Sequence, residues 1–219
     1  MELIGAGRAS RVFALDADRV LRRSGFDTEG EARLMRLLRR EGFPAPEVFD
    51  ARGGDLVMER LHGPTLAAEM LAGRVAPAET ADVLLGLHER LHRIDAPPWL
   101  PSASRGVDLT GDGPARVLHL DLHPENVILT EAGPHLVDWA NAAAGAPAFD
   151  LAVSWVILVG VDLAAYGLPA ERIESLRTGT LPRLREAATE AALAEAIRYR
   201  RADPNIDESE IDRALNELA

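Results

Sequence analysis

The chain has 219 residues, a formal net charge of −11 and 47% hydrophobic residues against 27% charged, the composition of a globular protein of one large domain or two small lobes. That acidity argues against a broad nucleic-acid surface, and with no cysteine there are no disulfides or thiolate metal sites, which fits a cytoplasmic protein. No apolar run approaches the roughly 18 residues of a membrane span and no export signal opens the chain, so no membrane role is expected.

The basic residues are all arginine, 24 of them, because the sequence contains no lysine. Chemistry that ordinarily uses lysine must use arginine here. Along residues 2–23, Leu3, Ile4, Val12, Phe13, Leu15, Val20 and Leu21 alternate with polar and small residues, the pattern of three short strands. The first turn runs from Gly5 to Val12 through Gly7 and Ser10; such a loop is either a plain hairpin turn or one whose backbone N–H groups approach phosphate. The spacing predicts a helix from Thr28 to Arg40, apolar through Leu34, Leu37 and Leu38, and Thr28 with Glu31 forms a capping-box pattern that would give Glu31 a local task. Two more strands, Glu47–Asp50 and Asp55–Leu61, complete a five-stranded sheet, and Gly63-Pro64 reads as a linker.

Helical periodicity follows over residues 65–72 and 77–94, where Val83, Leu84, Leu87, Leu91 and Ile94 form a stripe. His88 and His92 share a face of this helix but have no evident third ligand nearby in sequence, which favours a packed or solvated role. Residues 96–113 read as a loop, and residues 151–201 as helices interrupted at Gly167-Leu168-Pro169 and around Thr178 to Pro182. A last helix over 208–218 would be amphipathic through Ile211, Leu215 and Leu218.

The chemistry concentrates in Val117 to Asn141. Asp121 and, five residues on, Asn126 provide a carboxylate base and a neutral oxygen ligand on one loop; Asp138 provides an anionic oxygen ligand after an apolar strand. Such a set suits magnesium, which takes oxygen ligands, and phosphoryl transfer, which needs positioning, charge neutralisation and a base. A different use of the same stretch, a metal-dependent hydrolase built on His119, Asp121 and His123, requires those three to share one strand face.

At HLDLHPEN the chain resembles the aminoglycoside phosphotransferase and choline kinase family, whose H-x-D-x-x-x-x-N pattern is met by His119, Asp121 and Asn126. The segment VDWANA places Asp138 as the metal-binding aspartate, and GAPAFDLA places Asp150 as a buried carboxylate bracing the catalytic loop. The resemblance implies an α+β, two-lobed protein-kinase-like fold, with a nucleotide-binding lobe over 1–62 and a mainly helical lobe over 63–219. It implies an ATP- or GTP-dependent kinase acting on a small hydroxyl compound such as an aminoglycoside, with Mg2+ as cofactor. Asp121 would be catalytic and Asn126 and Asp138 would hold the metal. The nucleotide would meet Gly5, Gly7, Ser10, Val12, Arg22, Glu31 and the hinge at Glu59 and Leu61. The family's phosphate-binding lysine falls in RVLRR, where Arg22 shares strand parity with Val20 and Arg23 is the alternative. The substitution admits a second class, a nucleotide-binding module with little catalysis. Asp108, Asp112, Asp162 and Glu171 are candidates to face a cationic acceptor.

Overall fold

A computed structural model describes residues 1–7 and 10–218; Arg8 and Ala9 of the first loop, and Ala219, lie outside the described residues. The chain divides into two compact units, residues 1–65 with 126–140, and residues 66–125 with 141–219. A segment of the second half of the sequence thus belongs to the N-terminal unit, an excursion that no single linear boundary expresses.

The first unit opens with strands β1 (Glu2–Ala6), β2 (Ser10–Ala14) and β3 (Arg19–Ser24), then helix α1 (Glu29–Arg40) and strands β4 (Val48–Arg52) and β5 (Asp55–Glu59). They form the expected antiparallel five-stranded sheet in the order β1-β2-β3-β5-β4. The turn into β3 is made by Asp16, whose carboxylate accepts the N–H groups of Asp18 and Arg19. Helix α1 buries Ala32, Leu34, Met35 and Leu38. The capping box does not form: the Thr28 hydroxyl donates to the carbonyl of Gly53 at 2.9 Å, and it is Asp27 Oδ1 that accepts the first helical N–H, of Glu29, at 2.8 Å. The β4–β5 turn competes for the hydroxyl and wins, which releases Glu31 for other work.

Helices α2 (Leu66–Leu71) and α3 (Pro77–Leu91) follow. The loop expected over 96–113 contains a small hairpin, β6 (Ala103–Ser104) and β7 (Val107–Asp108), turned by Arg105 and Gly106 at φ 50° and 75°, the left-handed pair that tight hairpins need. Strand β8 (Arg116–Leu118) leads to a 3-10 turn, Pro124–Asn126, and to the hairpin β9 (Val127–Thr130) and β10 (Gly133–Leu136). This hairpin belongs to the first unit. Leu129 N–H donates to Pro64 O, Leu136 N–H donates to Pro44 O, and Trp139 sits edge-on to Phe43 at 5.5 Å. Gly63 is no loose linker: at φ +151° it lies so close to β9 that a Cβ would stand 2.0 Å from Leu129 O.

The second unit continues with β11 (Ala143–Gly145), paired to β8, and helices α4 (Pro147–Gly160), α5 (Ala170–Ala187), α6 (Glu190–Arg201) and α7 (Glu208–Leu218). Helix α4 is apolar around most of its circumference and is its core, surrounded by α5, α6, α7 and β8. Burying each large side chain such as Trp155 contributes roughly 1.5–3 kcal/mol. The break expected at 178–182 is absent, and α5 runs through Pro182. Packing overrides propensity there, since Leu181 and Leu184 are buried and Gly179 passes so near α3 that a Cβ would meet Pro77 at 2.4 Å. In α7 the buried residues are Ile211 and Ala214, while Leu215 faces solvent. Among the described residues no helix is long and apolar enough to cross a membrane.

Candidate active site

In the first unit three charged side chains converge from β3, α1 and the end of β10. Arg22 is 4% exposed; its Nη2 donates to Glu31 Oε2, and its Nη1 donates to Asp138 Oδ1 at 3.2 Å. Strand register makes this choice. Arg23 points the other way and pairs in solvent with Asp55 at 2.7 Å. Glu31 also accepts the N–H of Trp139 at 3.2 Å, so one carboxylate fixes both the arginine and the backbone beside Asp138. Burial pushes the Glu31 carboxyl up, with Arg22 opposing and Asp138 reinforcing the rise.

Asp138 itself has φ +65°, a left-handed conformation that costs a non-glycine residue about 1–3 kcal/mol and is held by its surroundings. Its side chain remains half exposed. Asn126 lies on the same unit, and its carbonyl accepts the N–H of Val137 at 2.9 Å, which ties it to the residue before Asp138. The side-chain groups of Asn126 and Asp138 are hard oxygen donors, the type that fits Mg2+.

The loop between β1 and β2 closes with Gly7 N–H donating to Ser10 O at 2.9 Å, and Gly5 pairs with Val12. A Cβ at Gly5 or Gly7 would make only ordinary contacts, at 3.7 Å and 3.8 Å. Packing of the described chain therefore does not demand glycine at either position. At the end of β5, Glu59 N–H donates to Glu47 O and Arg60 N–H to Asp18 O, so both N–H groups are already engaged.

Asp121 lies in the second unit, on the loop after β8. This loop is braced from beneath by Asp150, which is fully buried at the start of α4. Asp150 Oδ1 accepts Leu120 N–H at 2.7 Å, and Oδ2 accepts His119 N–H at 3.1 Å and His92 Nε2 at 3.0 Å. Burial alone would raise this carboxyl, but interactions with His88 and His92 outweigh it and hold the group well below the usual carboxylate range. The brace forces Leu120 to φ +61°. That twist ends the strand, so His119, Asp121 and His123 do not share a face: His119 is buried, with its Nδ1 accepting Asp121 N–H at 3.2 Å, while His123 Nε2 stands 4.0 Å from Asp121 Oδ1. The hydrolase arrangement fails on this geometry.

His88, His92 and Asp150 form a cluster compact enough to hold a metal ion, the third partner that sequence spacing did not reveal. Most of its groups are already engaged as protein hydrogen bonds, with His88 Nε2 on Ser154 Oγ at 3.0 Å and both Asp150 oxygens taken, while the buried His88 Nδ1 stands 3.4 Å from Asp150 Oδ2 without a hydrogen bond. We read it as the brace of the loop.

Arg200 joins the site from a point far along the chain. This buried residue of α6 places Nη1 3.6 Å from Asp121 Oδ1 and Nη2 3.6 Å from Glu210 Oε2. Burial pulls the guanidinium down from its ordinary value, and Asp121 and Glu210 oppose the fall. No local pattern signals it, because its partner lies in a distant loop.

A model of the phosphotransferase enzyme family matches residues 1–112 and 100–204, and the chain belongs to that family. Streptomycin 6-kinase of Streptomyces griseus is 32% identical over 133 aligned residues, covering 47% of this chain and 42% of its own. Thiamine kinase of Salmonella paratyphi B is 49% identical over 39 residues, 18% of this chain and 14% of its own. The chain thus spans less than half the length of these curated relatives. The fold is that of aminoglycoside phosphotransferase APH(4)-Ia, with TM-score 0.64 at 15% identity over 98% of this chain and 91% of that one. It is shared with a choline/ethanolamine kinase family protein from Mesorhizobium loti, with TM-score 0.61 at 18% identity over 99% and 85%. The kinase-like α+β fold expected from HLDLHPEN is therefore the fold of the chain.

Proposed function

We propose that the chain transfers the γ-phosphate of ATP, or of GTP, to a hydroxyl group of a small molecule. The observation that carries this reading is the buried Arg22 held between Glu31 and Asp138, which puts a fixed cation beside a half-exposed carboxylate of metal-binding type. In this reading Arg22 takes the place of the family's lysine and steadies the α- and β-phosphates. The β1–β2 loop covers the phosphates with the backbone of Gly5, Gly7, Ser10 and Val12, where no chain packing requires the glycines. The Glu59 carbonyl and Leu61 backbone receive the base.

Asn126 and Asp138 would hold Mg2+, which when bound neutralises phosphate charge. Asp121 accepts the acceptor's proton as the hydroxyl oxygen forms its new bond to phosphorus and the bond to the nucleoside diphosphate breaks. Arg200, 3.6 Å from Asp121, orients that carboxylate. The setting we propose is the cytoplasm, with nucleotide and a small hydroxyl compound as partners. Streptomycin and thiamine, the compounds in the relatives' names, belong among the first acceptors to try.

The test is nucleoside diphosphate release across amino sugars, macrolides, amino alcohols and aromatic alcohols, with Asp121→Asn as control. Transfer should fall by about 10²–10⁴-fold in that variant while nucleotide binding persists. Normal transfer by Asp121→Asn contradicts the reading. A second reading, nucleotide binding without transfer, draws on arginine standing at the lysine position; slow turnover that no acceptor accelerates would favour it.

A further inference from the structure

The second unit contains a cavity of about 140 Å³ that the proposed chemistry leaves unused. Residues of α2, α4 and α5, the 3-10 turn Leu163–Tyr166 and the loop residues His123, Pro124 and Glu125 line it, and it is open to solvent on one side. Its wall is mostly apolar, formed by Met70, Ile157, Val161, Leu163 and Leu181, with Arg177 as the cation on its lining. Thr180 also lines it, but its hydroxyl is spent on Pro77 O at 3.1 Å. An apolar space on this order, about 150 Å³, is large enough to take a benzene-sized group.

The cavity's position gives it meaning. His123 forms part of the wall, and its Nε2 is 4.0 Å from Asp121 Oδ1. A group seated in the cavity therefore ends against the ring that borders the proposed base. Two of the acids considered for a cationic acceptor are spent elsewhere: Asp108 accepts from Thr110, and Asp162 accepts Ala164 N–H as a local cap. Glu125 is the one carboxylate on the cavity's lining.

We propose that this cavity is an acceptor subsite, and that the acceptor is an alcohol carrying a compact apolar group, either one aromatic ring or a branched aliphatic chain. The proposal rests on the phosphotransferase reading above. The hydroxyl oxygen of such an alcohol gains the phosphoryl group, its proton passes to Asp121, and the nucleoside diphosphate leaves.

Benzyl alcohol is the probe and glycerol its polar counterpart. In the full chain with methyl-labelled Met and Leu, benzyl alcohol should give intermolecular NOEs to Met70 and Leu163, and glycerol none. Val161→Phe and Ala67→Phe fill the cavity from two sides and should each weaken benzyl alcohol binding at least tenfold; cooperative melting verifies that each variant is folded. The wild-type NOEs stand as a test even if both variants misfold. The absence of these NOEs, or equal binding by both folded variants, overturns the proposal. Should amino sugars be phosphorylated equally by wild type and Val161→Phe while benzyl alcohol binds neither, the subsite is wrong and the transferase reading survives. If benzyl alcohol fills the cavity but no alcohol or sugar is ever phosphorylated, the transferase reading falls and the acceptor role falls with it.

Discussion

Two buried carboxylates, one in each unit, are held by opposite means. Asp150 receives N–H donors on both oxygens, from His119, Leu120 and His92, and its carboxyl is held well below the ordinary range. Glu31 faces one buried arginine and one backbone N–H, with Asp138 nearby, and burial pushes its carboxyl up. Arg22, its partner, keeps a buried Nε without a hydrogen-bond partner. A charge that the fold fully satisfies is a structural fixture. A charge that the fold leaves under-satisfied is held for something the folded chain alone does not supply, and we assign that something to nucleotide phosphate and metal.

The largest stability effect should therefore fall on Asp150. Asp150→Ala strips partners from two backbone N–H groups and a histidine, and should cost about 3–5 kcal/mol in urea unfolding, as breaking a buried charged network does. If the variant is as stable as wild type, the brace is not one. Glu31→Gln should lower both stability and activity. It retains an acceptor for Trp139 N–H but strands the buried Arg22 guanidinium, so the melting temperature at pH 7 should fall, by less than for Asp150→Ala because Asp138 still pairs with Arg22, while nucleotide turnover falls at least about tenfold, roughly 1.4 kcal/mol in the barrier.

Acid titration sharpens the contrast. Asp150 has a lowered folded-state pKa, so its contribution is present above the unfolded value of about 4 and is lost as pH falls through the folded one. Glu31 has a raised folded-state pKa, so its contribution is present below the unfolded value and is lost as pH rises through the folded one. Lowering the pH from neutrality toward the unfolded value of about 4.5 should then favour wild type over Glu31→Gln, measured as the difference in unfolding midpoints; a difference that does not change with pH would sink the assignment. The smallest effect belongs to Arg23→Ala. This exposed arginine pairs with Asp55 in solvent, and its loss should leave both melting temperature and turnover unchanged.

What was legible in the sequence was local. His119, Asp121 and Asn126 sit within one short run, and strand and helix periods were readable wherever a face is buried. Arg22 could be preferred to Arg23 by strand parity, but only the register of β3 between β2 and β5 shows which guanidinium turns toward Glu31. Thr28 looked like a cap because its competitor, the Gly53 carbonyl, lies 25 residues away. Pro182 looked like a helix break because the packing of Gly179 on Pro77 is invisible in one dimension. Arg200 and the cavity were illegible for the same reason, being made by partners that meet only after folding.

The central claim is that Arg22 is the phosphate-binding cation in a chain without lysine. Its direct measurement is titration of MgATP onto the double variant Arg22→Met/Glu31→Gln, which removes both buried charges together and so leaves neither one stranded. At least tenfold weaker nucleotide binding than wild type, in a cooperatively folded protein, is the predicted result; unchanged affinity would contradict it.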